Sequence, residues 1–198
     1  MIKVDESKDK TLRDSVKETL TGVLRGTGEV AGAVIDTVSD TLVKTVRGTR
    51  AVGDELLSVV RNTVHGTIHA AAVVGGDLGA ASKNAVIGVL HGTSEVGGEA
   101  LETIRESARA AVKSTAEVGG DITDAARNVV EGAITGAKNV GISAEEAASA
   151  AAKGALDAAG DIGETAVFRV RRVLSGTIGG VRNILKEPSS EHEEDRQP

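Results

Sequence analysis

VGGD at 74–77, VGGE at 96–99 and VGGD at 118–121 are three copies of one phrase, and looser copies stand at 52–55 (VGDE) and 30–33 (VAGA). The valines Val30, Val52, Val74, Val96, Val118 and Val140 are 22 residues apart without a slip. Self-similarity at a fixed period of this length marks a repeat architecture. The reading of the Gly-Gly pair decides its form. If those glycines are helical the chain is a rod; if they are left-handed helix ends, it is a stack of shorter helices.

Between the phrases an apolar column runs through Val16, Leu20, Val23, Thr27, Val30, Val34, Val38, Leu42, Thr45, Thr49, Val52, Leu56 and Val60. Its steps of three and four average about 3.67 residues per turn, close to an α-helix and far from the period of a strand. Other columns carry Arg25, Arg47, His69, His91 and Lys113, then Glu29, Glu95 and Glu117, then Asn62, Asn84 and Asn128. They fall opposite the valines, so each unit is amphipathic. The predicted fold class is all-α: long amphipathic helices of 22-residue (two times 11) repeats, extended or folded back as helical hairpins or a bundle, with disordered termini.

Residues 1–10 read as a polar tail, 11–142 as the repeats, 143–187 as an Ala-rich then basic helix in the same register, and 188–198 as an acidic tail after Pro188. Thr11 with Asp14, and Ser15 with Glu18, have the capping-box form of a helix start. Gly141 and Ser143 have the form of a helix end and a new cap. Past residue 140 the register reads as shifted, Lys153-Gly154 answering Thr135-Gly136 after 18 residues. Eighteen residues make five turns and 22 about six, so such a deletion keeps the apolar side chains Leu156, Ile162, Val167, Val170, Val173 and Val181 on one face. This favours a continuous or gently broken helix, a rod of about 260 Å over 12–186 at about 1.5 Å per residue.

All 25 glycines fall between Gly22 and Gly180. Each costs about 0.8–1 kcal/mol relative to alanine inside a helix, so the glycines need a structural use. Gly75, Gly76, Gly97, Gly98, Gly119, Gly120 and Gly141 are candidate helix breaks. Gly22/Gly26, Gly28/Gly32, Gly88/Gly92 and Gly132/Gly136 have the spacing that lets helices approach closely.

Phe168 is the one aromatic residue, there is no cysteine, and the net charge is -6. A core must therefore be built of Val, Leu, Ile and Ala, no thiolate zinc site or disulfide framework is available, and the basic bias of a nucleic-acid binder is missing. The first ten residues have no apolar signal-peptide stretch, and no run is apolar enough to span a membrane. His65 and His69 share a helix face, but no carboxylate or cysteine completes a ligand set locally, and in this column histidine stands where other copies hold Arg or Lys. The pair reads as part of a polar face. No phosphate loop or nucleophile arrangement occurs, so no catalytic, cofactor-binding or metal-ligating residue is nominated. Residues 62–94, with only Asp77 and Lys83 charged, read as the most surface-seeking part. Phe168 with Arg169, Arg171 and Arg172 is a candidate contact for an anionic surface.

The phrases KTVRGT at 44–49, NTVHGTI at 62–68 and NAVIGVL at 84–90 resemble the 11-residue repeats of synucleins. The 22-residue doubling is similar to the exchangeable apolipoproteins, and the Thr/Ala/Gly-rich pattern resembles late-embryogenesis-abundant proteins, perilipins and phasins. The likeness covers about residues 15–185. The chain departs from it in having fewer prolines than apolipoproteins, fewer lysines than synucleins and more glycine than any of them. The class implies a helix that lies along, or protects, a lipid or polymer surface. The expected function is that of a non-enzymatic amphipathic protein coating a membrane, lipid droplet or storage granule, cytoplasmic or peripheral on such a surface. The alternative is a self-assembling helical scaffold, a homo-oligomer, and the third reading is a stress protectant. No nucleic acid and no transmembrane segment are expected.

Overall fold

A computed structural model of the protein describes residues 6–26 and 30–177. The described residues are almost entirely helical: α1 (Glu6–Gly26), α2 (Val30–Thr49), α3 (Asp54–Val73), α4 (Leu78–Val96), α5 (Ala100–Glu117), α6 (Ile122–Val140), α7 (Ala144–Ile162) and α8 (Glu164–Thr177). The chain is all-α, and it is not one rod. The capping-box signals at Thr11 and Ser15 lie inside α1 and start nothing. There the Thr19 hydroxyl donates to the Ser15 carbonyl at 2.9 Å, the back-bonding a mid-helix Thr adopts. The expected acidic tail beyond Pro188 lies outside the described residues.

The breaks have a local chemical cause. Gly53, Gly75, Gly97, Gly119, Gly141 and Gly163 all have positive φ, and each stands 22 residues after the last. At 97–98 the two glycines serve different ends. Gly97 takes the left-handed conformation (φ 73°, ψ 29°) that closes α4, a conformation costly for residues bearing a Cβ. Gly98 donates to the Thr93 carbonyl at 3.1 Å, and a Cβ on it would stand 2.7 Å from the Leu56 side chain. Asp77, Asp121 and Ser143 then cap the next helices: Asp77 accepts from the Ala80 N–H at 3.0 Å, Asp121 from the Thr123 N–H at 2.8 Å, and Ser143 from the Glu146 N–H at 3.1 Å. Glu99 makes no such bond at the start of α5.

The register does not shift after residue 140. Gly163 follows Gly141 by 22 residues, and Gly154 answers Gly132, each pressed against a backbone carbonyl of a neighbouring helix. The 18-residue match of Lys153-Gly154 to Thr135-Gly136 was a coincidence of composition in an Ala/Gly-rich stretch.

Helices pack mainly against the helix two along: α1, α3, α5 and α7 form one row and α2, α4, α6 and α8 a second, with sequential helices in contact across the rows. A Cβ on Gly88 would meet the Ile35 carbonyl oxygen at 2.6 Å and one on Gly92 the Ser39 carbonyl oxygen at 3.0 Å. Both partners rise together, so α4 runs parallel to α2. Gly132 lies on Lys83 and Gly136 on Leu90, which sets α6 parallel to α4 in the same way. Close approach lets short side chains fill the seams without aromatic bulk. The core consists of Val, Leu, Ile and Ala, including Val16, Leu20, Val38, Leu42, Val60, Ile68, Val86, Leu90, Ile104, Val130, Ala151, Val170 and Leu174. Residues 62–94, expected to seek a surface, supply much of it, because α3 and α4 each have row neighbours on both sides.

Two sets of variants test this account. Gly132→Ala, whose Cβ would stand 2.6 Å from the Lys83 carbonyl oxygen, is expected to lose about 1–3 kcal/mol in urea denaturation despite alanine's better helix propensity. Gly160→Ala, with nothing within 4 Å, is expected to gain about 0.5–1 kcal/mol. The side-chain and backbone hydrogen bonds from Thr123 hold the Asp121 carboxyl below the ordinary aspartate range. A carboxylate with a depressed folded-state pKa contributes stability above its unfolded pKa and loses it as pH falls through the folded value. Asp121→Ala is therefore expected to cost about 1 kcal/mol at pH 7, and the gap from wild type should shrink as denaturation is repeated below pH of about 4.

Candidate functional site: a polar cleft between α3 and α5

Residues of the basic and acidic columns meet across the seams while staying partly exposed. Arg47 Nη2 lies 3.7 Å from Glu95 Oε2, His69 Nε2 3.6 Å from Glu117 Oε2, Lys83 Nζ 3.2 Å from Glu131 Oε2, and His91 Nε2 3.0 Å from Asn139 Nδ2. Each pair is 48 residues apart: two 22-residue units plus one helical turn, the offset at which parallel helices two apart bring their side chains level. Arg105 and Arg109 pair in the same sense with Asp157 and Asp161 of α7 at 2.7 and 2.8 Å, and hydrogen bonding to these carboxylates raises both guanidinium pKa values. As half-exposed pairs these fix register more than they add stability.

One seam differs. The glycines at 88 and 92 of α4, and at 132 and 136 of α6, correspond in α5 to Ala110 and Ser114. These bring Cβ atoms to the positions of closest approach, and α3 and α5 are the least intimately packed neighbours of their row. A cleft of about 350 Å³ opens there, lined by Ala110 and Ser114 and by Arg13, Arg61, Asn62, His65, Glu106, Arg109, Lys113 and Glu117. Arg61 Nε donates to Glu106 Oε1 at 2.5 Å across it. Asn62 is 3% exposed, and its Nδ2 has no hydrogen-bond partner.

At the cleft's edge the rings of His65 and His69 stack, centroids 4.0 Å apart and planes at 20°. The Glu117 carboxylate of α5 faces both: Oε2 lies 3.3 Å from His65 Nε2 and 3.6 Å from His69 Nε2. Burial first, and the neighbouring His69 second, push the His65 pKa down, so the ring favours its neutral form. Sequence spacing placed no carboxylate beside the two histidines. The fold supplies one from 48 and 52 positions further along.

The valines of the repeated phrase sit at helix ends. Val52 is 77% exposed, while Val74, Val96, Val118 and Val140 are half-buried at the rim; the side chain of Val30 is outside the described ones. Gly75, Gly97, Gly119 and Gly141 hold the left-handed helix ends, with Gly76, Gly98 and Gly120 after them. Phe168, Arg169, Arg171 and Arg172 are exposed along α8, well apart in sequence from the cleft. Among the described residues no helix is long and apolar enough to cross a membrane. Compared with protein-family models and with curated proteins, the chain matches none.

Glu106, 9% exposed, is ion-paired with Arg61. Arg61→Ala is expected to cost about 1–3 kcal/mol in urea denaturation, and adding Glu106→Gln to that variant should restore part of the loss by removing the stranded charge.

Proposed function

We propose that the protein is a non-enzymatic helical-repeat scaffold, whose 22-residue units, folded back on one another across the described residues 6–26 and 30–177, form one array that works by presenting its outer faces to further copies of itself or to a partner. The observation that carries this reading is where the apolar columns lie: Val34, Val38, Leu42, Val60, Val86 and Leu90 are buried between helices. A protein that coats a lipid surface with that face would first have to open these seams, and the glycine contacts and cross-seam ion pairs oppose opening. On this reading the protein is cytoplasmic, and any membrane or granule contact is peripheral.

A second reading is favoured by α8. Phe168 is 67% exposed, and Arg169, Arg171 and Arg172 are exposed around it, a pairing of an apolar ring with cations that suits the interface of an anionic bilayer. Docking of the folded array through α8 requires no opening, so it differs physically from coating by the valine face.

Circular dichroism and light scattering in buffer and with phosphatidylserine-containing vesicles separate the three. The scaffold predicts high helicity in buffer, unchanged by vesicles. Coating predicts a gain of helicity on vesicles, and its observation would overturn the scaffold. Docking through α8 predicts vesicle binding without a change in helicity, lost in Phe168→Ala/Arg171→Glu/Arg172→Glu.

A further inference from the structure

The polar edge of the α3–α5 seam holds a ligand set that neither helix has alone. His65 and His69 project from one face of α3 four residues apart, and Glu117 reaches them from the end of α5. One ligand atom from each lies within 4.8 Å of the others, and among the described residues this is the one such group of His and carboxylate side chains. Zinc bound by imidazole nitrogen and carboxylate oxygen takes bonds of about 2.0–2.1 Å, so neighbouring corners of its tetrahedron stand about 3.3–3.4 Å apart. The separations of Glu117 Oε2 from the two Nε2 atoms, 3.3 and 3.6 Å, lie close to that edge, and a turn of the stacked rings about their side-chain torsions would bring both nitrogens onto one ion.

We propose that His65, His69 and Glu117 bind a divalent transition-metal ion, zinc by its ligand chemistry, which clamps α3 to α5 and keeps one coordination position open toward the cleft. Two imidazoles with one carboxylate suit zinc and its neighbours rather than magnesium or calcium, which take oxygen ligands. His69 Nε2 is buried with no hydrogen-bond partner, a nitrogen lone pair or N–H that the fold leaves unanswered and a metal would engage. His65 Nδ1 is likewise buried and without a partner. Arg13 and Lys113 line the same cleft, and their charge opposes a bare dication. It favours an anion, or an ionised water, in the open position, where cation and metal charge act together.

The position in the array fits this use. In the α1–α3, α2–α4, α4–α6 and α5–α7 seams glycine closes the approach; here Ala110 and Ser114 line an open cleft, and the metal would supply across the gap the cohesion that close packing supplies in those seams. The rung at this opened seam sets histidine against a carboxylate, His69 with Glu117, whereas Arg47 with Glu95 and Lys83 with Glu131 are ordinary ion pairs and His91 faces the Asn139 amide. The proposal stands independently of the scaffold reading, since a stack of helices can bear a metal clamp whatever its outer faces bind.

Titration of the tag-free, chelator-treated full chain with cobalt(II), followed by displacement with zinc, tests it. The expected result is one equivalent bound, with the intense visible absorption of four-coordinate cobalt, and a rise in Tm on zinc addition. His69→Gln and Glu117→Gln should each weaken binding by at least about tenfold and abolish the Tm rise, with helicity by circular dichroism retained. His91→Gln, on the next helix in the same column as His69, and His192→Gln should leave both unchanged. Absence of a one-to-one site in the wild-type chain would overturn the proposal without recourse to any variant. So would binding that survives Glu117→Gln, or that is lost equally in His91→Gln. In either case His65, His69 and Glu117 would be an ion-pair cluster only.

Discussion

Everything in this fold depends on how closely parallel helices two apart can approach. Gly88 against Ile35, Gly132 against Lys83 and Gly154 against Arg105 place one backbone directly on another. At that distance a valine or alanine fills the space that otherwise requires leucine or an aromatic ring, and so a chain with a single phenylalanine still closes a core. The helix-propensity cost of glycine is about 0.8–1 kcal/mol at each such site. Dispersion contacts along the whole seam, individually small and collectively large, offset it. The same glycines would be a liability in an isolated helix, so helix formation and row formation are coupled.

The turns and the seams share one period, and this links local to tertiary structure. A positive-φ glycine follows each of α3 to α7 at a spacing of 22 residues, so these five helices are 18 to 20 residues long. Similar lengths bring the close-approach glycines of α4 and α6 to the same height, and charged residues two helices apart then meet at an offset of 48 residues, as Arg47–Glu95 and Lys83–Glu131 do, or one turn more, 52, as Arg105–Asp157 does. The ladder of ion pairs follows from the backbone geometry rather than driving it.

The polar cleft opens where the period lapses. Ala110 and Ser114 break the glycine column, and beside them stand the cleft, the buried Asn62 amide and the stacked histidines. A repeat array is uniform by construction, so a departure that opens a polar cleft has no packing benefit of its own. Exposed Phe168 and its arginines, on α8, are a second departure of a different kind.

By itself the sequence determined the secondary structure class and the period. Steps of three and four in the apolar column require helix, and the valine spacing of 22 residues is plain in the text of the chain. The Gly-Gly pairs announced a decision without making it, because a glycine in a helix and a glycine at its left-handed end look alike in one dimension. After Gly136 alanine and glycine are so frequent that several alignments fit, and an 18-residue match there mimics a helix that continues unbroken. Periodicity gives the angle of a side chain around its helix but not the neighbour that covers it. Thus the charged columns read as an outer face, when Arg47, Lys83 and His69 lie along seams, and residues 62–94 read as surface-seeking because their apolar character was visible and their two flanking rows were not. His65 and His69 were legible as a pair. Only the parallel packing of α3 and α5 decided that Glu117 stands opposite them, since that contact depends on the length of a whole helix and two turns in between.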